Sequence, residues 1–129
     1  MEQQQNKAVG LLGLARKAGK LQTGEETVSS MLLQKHARLT VLADDAGAAV
    51  ARKMRSLAEG TRQRVLVVPF DKQTLGAVLG RQSVSVAAFS DVSMALAFVK
   101  ALPAGTAEPE LLEDLERRVA RVRAKRKKN

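Results

Sequence analysis

Three short apolar runs alternate with segments of helical period, and this alternation limits what the chain can fold into. The runs are Leu39–Ala43 (LTVLA), Arg64–Val68 (RVLVV) and Ser85–Ser90 (SVAAFS). Strands separated by helices predict one sheet with helices on both faces. The apolar stretches at 41–42 and 65–68 suit strands covered on both sides.

The segments between fit this reading. Asn6 to Ala18 repeats apolar residues at helical spacing and ends in Arg16 and Lys17, where a helix dipole favours cations. Gly19 stops it, and Leu21 to Thr23 is a short extended stretch. Gly24 opens a second helix through Leu33, with Glu25 and Glu26 in its first turn. Ala48 to Glu59 and Val92 to Lys100 read as helices, and Asp71 caps another that Gly80 ends. The expected order is α-β-α-β-α-β-α-β-α.

Pro103 to Pro109 reads as a linker, dividing a domain at 1–103 from a tail at 104–129. The tail has five acids from Glu108 to Glu116, then eight bases from Arg117 to Lys128. Leu112, Leu115, Val119 and Val122 form one apolar stripe, which predicts a helix docked on the domain or on a partner. Glu113–Arg117 and Asp114–Arg118 are spaced for ion pairs worth a few tenths of a kcal/mol each. The last turns read as frayed and polycationic, reaching phosphates.

Charge then narrows the partners. The 129 residues carry 22 Lys and Arg against 13 Asp and Glu, a formal +9, and the part before the tail is basic on its own. Such a surface favours nucleic acid, with an anionic membrane as the competitor. No apolar run approaches the length of a spanning helix, and the polar Gln-rich start lacks the shape of a signal peptide, so a cytoplasmic, membrane-free protein is expected. Cysteine is absent, which excludes disulfides, thiolate metal sites and thiol catalysis.

Catalytic motifs fail in turn. Gly13 to Leu21 (GLARKAGKL) has five residues between its glycines and Leu after the Lys, unlike a phosphate-binding loop. Gly10-Leu11-Leu12-Gly13 has the spacing of a KH clamp but lies in an apolar helix, where packing explains it. The lone His36 reads as a turn residue, and Glu25-Glu26 and Asp44-Asp45 as dipole and turn carboxylates rather than metal ligands. Phe70, Phe89 and Phe98 lie in or beside apolar runs and read as core, so bases would not be stacked on aromatic platforms. The expectation is no enzyme, no cofactor, no metal and no small-molecule substrate.

LLGLARKAGKLQTGEETV, LTVLADDA and DKQTLGAVLG, in this order, resemble the YlxQ-like bacterial branch of the L-seven-Ae/L-thirty-e ribosomal protein superfamily, from about Val9 to Lys100. The resemblance implies a three-layer α/β/α sandwich with a mixed four-stranded sheet. It also implies binding of kink-turns, sharply bent RNA helices with tandem sheared G·A pairs, and ribosome components as candidate partners. Gly24 matches the glycine that lets the backbone approach RNA. Glu26, Thr27 and Ser30 stand where kink-turn binders place Asn, Glu and Lys, which is a departure. Lys72 and Arg81 match backbone-contacting bases, and Arg81 to Val84 corresponds to the second RNA-facing loop. Lys20 joins on charge and nearness in sequence. The candidate RNA-facing set is Lys20, Thr23, Gly24, Glu25, Glu26, Thr27, Ser30, Lys72, Arg81, Gln82 and Ser83. The alternative is a protein-interaction module using the same fold and the C-terminal helix.

Overall fold

A computed structural model describes residues 2–128. Its four strands are β1 (Leu21–Thr23), β2 (Leu39–Leu42), β3 (Arg64–Val67) and β4 (Val86–Phe89). They lie in the order β1-β4-β2-β3. β4 runs antiparallel to β1 and β2, and β3 runs parallel to β2, so the sheet is mixed. Six helices surround it: α1 (Glu2–Lys17), α2 (Glu25–Leu33), α3 (Ala48–Ala58), α4 (Lys72–Leu79), α5 (Val92–Ala101) and α6 (Pro109–Lys128). This is the expected α/β architecture, with the expected helix in the tail.

Strand alternation sorts the core into two layers. Leu39, Val41, Ala87 and Phe89 face one side, packed with residues of α1, α4, α5 and α6. Leu42, Val86 and Ala88 face the other, packed with Val28, Leu32 and Met54 of α2 and α3. The three phenylalanines are buried as expected, and the Phe89 and Phe98 ring centroids lie 5.4 Å apart. Gly13 lies where α1 meets α4, with Val78 3.7 Å from the place of its absent Cβ.

β3 departs from expectation. Val65 and Leu66 pack against the core layers on its two faces, but as an edge strand it leaves its side chains half-buried and Val67 40% exposed, where full coverage is expected. The sequence of β3 is as apolar as that of β2, but only β2 has strands on both sides.

α6 lies on α5. Leu111, Leu115 and Val119 are buried, with Leu112 and Val122 half-buried beside them. Each fully buried aliphatic contributes about 1.5–3 kcal/mol before ordering costs. The stripe therefore docks on the domain, and Leu111 joins it. The helix continues to Lys128 instead of fraying earlier. Asp114 pairs with Arg118 at 3.2 Å as expected, but Arg117 also turns to Asp114, at 3.6 Å, rather than to Glu113. The Asp114 carboxylate is mostly covered, and two cations share it.

Gln63 ties the layers at one end. Its buried side chain accepts from the Ala37 N–H at 3.0 Å and donates to the Leu32 carbonyl at 2.9 Å. One amide thus satisfies the Ala37 N–H and adds a second donor to the Leu32 carbonyl, which the Lys35 N–H also reaches at 3.1 Å.

Candidate nucleic-acid interface

Because β1, β2 and β3 run the same way and β4 runs against them, the sheet has two distinct ends. The C-terminal ends of β1, β2 and β3 meet the start of β4. Gly24 follows β1 there with φ 102° and ψ 145°, a conformation essentially restricted to glycine. Its N–H donates to the Val86 carbonyl at 3.0 Å, hooking the corner to β4. No side chain caps α2, so its first amides are free to receive a phosphate or a base edge.

The loop after α4 meets this corner. Gly80 ends α4 in the left-handed region, and the Arg81 N–H returns to the Gly76 carbonyl at 2.8 Å. The Val84 N–H donates to the Lys72 carbonyl at 3.0 Å. A Cβ on Gly76 would lie 2.8 Å from the Arg81 and Gln82 backbone, so only glycine leaves the loop its seat. The Lys72 N–H donates to Asp45 Oδ1 at 2.8 Å, which joins the turn after β2 to the same end. Asp71 caps α4, accepting from the Thr74 N–H at 2.7 Å. The Thr74 backbone, then its hydroxyl, hold this carboxyl below the usual carboxylate range.

The fold therefore gathers Thr23, Gly24, Glu25, Glu26, Thr27, Lys72, Arg81, Gln82 and Ser83 at one end. Glu26, Thr27, Gln82 and Ser83 are exposed, and Thr23 and Lys72 are half-buried. Glu25 reaches across to Lys53 of α3 at 3.3 Å. Ser30, a turn further along α2, accepts from Gln34. Lys20 does not join them. It stands at the other end of β1, about 13 Å of extended chain from Gly24, and pairs with Asp91 at 3.4 Å. Nearness in sequence misplaced it, because an intervening strand carries residues apart.

Sequence reasoning missed two cations. Arg16 and Lys17, assigned to the dipole of α1, line a cleft of about 400 Å³ with Gln22, Thr23 and Arg81. The Arg16 guanidinium lies over Gly80, 3.5 Å from where a Cβ would stand. The signal was present in the pair at the end of α1, but only the fold brings it to the loop. Among the described residues, no three His, Cys, Asp or Glu side chains converge to hold a metal, and no helix is long and apolar enough to cross a membrane.

A mixed four-stranded sheet between helical layers, with a glycine corner and a helix-seated loop at one end, defines an L7Ae-type α/β fold. The chain belongs to the ribosomal protein L7Ae/L30e/S12e/Gadd45 family, which matches residues 6–97. It resembles a protein of unknown function from Bacillus halodurans, with 29% identity and a TM-score of 0.68. That likeness covers 74% of this chain and 95% of the other. It shares its fold with a 15.5 kD RNA binding protein from Giardia lamblia, at 12% identity and a TM-score of 0.60, over 78% of this chain and 86% of that one. Among curated proteins, none matches the sequence closely enough to count as a relative.

Proposed function

We propose that the protein binds structured RNA through the end of the sheet built by the β1–α2 corner and the α4–β4 loop, and that it performs no catalysis. The observation that carries this reading is the convergence of Arg16, Lys17 and Arg81 on one cleft beside the uncapped start of α2. The cations neutralise phosphates, while free amides and the Glu26 and Thr27 side chains present polar groups to base edges. Membership of a ribosomal-protein family supports RNA as the partner. A bent RNA helix of the kink-turn kind, in a ribosomal setting and in the manner of the YlxQ-like branch, is the target this face suits. With the phenylalanines buried, shape and phosphates replace stacking. Such a role belongs in the cytoplasm.

The test is a paired titration of a kink-turn RNA and the same RNA with its G·A pairs replaced, over a salt series. Preference for the intact kink-turn is the expected result, lost in Gly24→Val. Arg16→Ala/Arg81→Ala should weaken both RNAs and lower the salt slope by about one unit per contact. An unchanged slope in that double variant would contradict the assignment. The protein-interaction alternative has less to work with, because the apolar stripe of α6 already faces α5. A partner would have to take the charged outer face of that helix.

A further inference from the structure

The opposite end of the sheet carries a second concentration of positive charge. Three connections meet there: the turn after α2, the turn before β3 and the later turns of α6. Lys35 and Arg38 come from the first, Arg62 from the second, and Arg118, Arg121 and Lys125 from the third. They line two adjoining hollows, of about 460 and about 580 Å³, which share Arg38, Arg62 and Arg118. No carboxylate lines either hollow among the described residues. Of the groove's cations, Arg118 is paired with an acid from outside the lining. Asp114 lies under Arg117 and Arg118, and Asp91 caps α5 and pairs with Lys20.

The place is built, not a scatter of surface lysines. Gln63 clamps the end of α2 to the start of β3, fixing the turns that bear Lys35, Arg38 and Arg62. Lys35 holds a left-handed backbone, φ 61°, and its carbonyl accepts from the Arg38 guanidinium at 3.4 Å. Arg118 of α6 donates to the Arg62 carbonyl, closing the helix onto the turn. Arg118, Arg121 and Lys125 follow a three-then-four spacing, so they share one face of α6 over roughly 10 Å. Val92, Val122 and Ala124 give the larger hollow an apolar floor.

We propose that this groove is a second, sequence-independent RNA site that grips backbone phosphates, so that the protein holds RNA at both ends of its sheet. Arg38, Arg62 and Arg121 suit phosphate, which a guanidinium fork meets with two hydrogen bonds, while Arg118, held by Asp114 and the Arg62 carbonyl, fixes the groove's shape. The apolar floor suits the sugar edge of a strand, and no exposed aromatic offers to stack a base. The groove combines the family scaffold with the added helix: Arg38 and Arg62 lie within the matched residues 6–97, and the α6 cations lie beyond them. The inference rests on RNA as the partner, but not on which RNA the first face reads.

The experiment compares three full-length proteins: wild type, Arg38→Gln/Arg121→Gln/Lys125→Gln, and Arg16→Ala/Arg81→Ala. Each is titrated over a salt series with a kink-turn RNA bearing long stems and with a plain duplex RNA. Urea unfolding checks that each variant keeps its stability. In the groove variant, affinity for both RNAs should fall together, and the slope of log affinity against log salt should fall by about two to three units. Arg38→Lys/Arg121→Lys, with Lys125 kept, should restore the slope, which a merely structural role would not require. A wild-type slope and affinity in the Gln variant would overturn the proposal. So would intact RNA binding with lost binding to anionic phosphatidylserine vesicles, which would assign the groove to a membrane surface. A silent Arg16→Ala/Arg81→Ala beside a weakened groove variant would leave the groove standing and refute the first face.

Discussion

At one end of the sheet, Glu25, Glu26 and Asp45 stand around a glycine corner and a tightly seated loop, whose Arg81 shares a cleft with Arg16 and Lys17. At the other end, six cations line two hollows that hold no carboxylate among the described residues, fastened by one buried glutamine, two arginine-to-carbonyl bonds and the Arg118–Asp114 pair. The first arrangement can discriminate, because carboxylates repel a phosphate placed wrongly and free amides fix where one is placed rightly. The second can only attract. In the proposed binding mode, shape would be read at one pole and charge at the other.

The strongest way to break this contrast is to remove the glutamine. Gln63→Leu would leave the Ala37 N–H buried without a partner, while the Leu32 carbonyl keeps the Lys35 N–H, a cost of about 1–3 kcal/mol in urea unfolding. Below the transition it should weaken plain-duplex binding more than kink-turn preference. Next comes Gly76→Ala. Its Cβ would meet loop backbone, costing about 1–3 kcal/mol, and kink-turn preference should fall while duplex binding holds. Gly24→Ala has open space at its Cβ, so only its backbone suffers, by about 1–2 kcal/mol. A variant as stable as wild type would show that the corner had relaxed to negative φ. Lys20→Ala should cost under about 1 kcal/mol, because its pair with Asp91 is partly exposed.

The smallest effect is a pH effect at Asp71. Its carboxyl sits below the ordinary range when folded, so its contribution to stability is complete above the unfolded value. That contribution disappears as pH falls through the lowered folded value. Thermal midpoints of wild type and Asp71→Asn should therefore converge as the solution is acidified through the carboxylate range. A constant gap would show that the cap does not titrate as its hydrogen bonds require.

The two poles were unequally legible in the sequence. Gly24, Asp71 and Gly80 declare themselves locally, because a positive φ, a cap or a stop needs a particular residue type at one position. The same locality located every helix and strand to within a few residues, apart from the earlier start of α1 and the later end of α6. What sequence could not show is adjacency. Arg16 meets Arg81, and Arg38 meets Arg62 and Arg118, across long stretches of chain that only the sheet order brings together. β3 failed for the same reason, since an apolar run does not say whether it will have one neighbour or two. Lys20 is the converse error, near Gly24 in number and at the other end of a strand in space.

Gly76 has a kinetic consequence. The loop it seats is already held by backbone bonds from Arg81 and Val84. An RNA bound there as proposed would meet a surface that has little ordering left to do. Association at that pole should proceed as one bimolecular phase whose rate tracks ionic strength, with no slower folding step behind it. Differences between good and poor RNA targets would then appear in how long each stays bound.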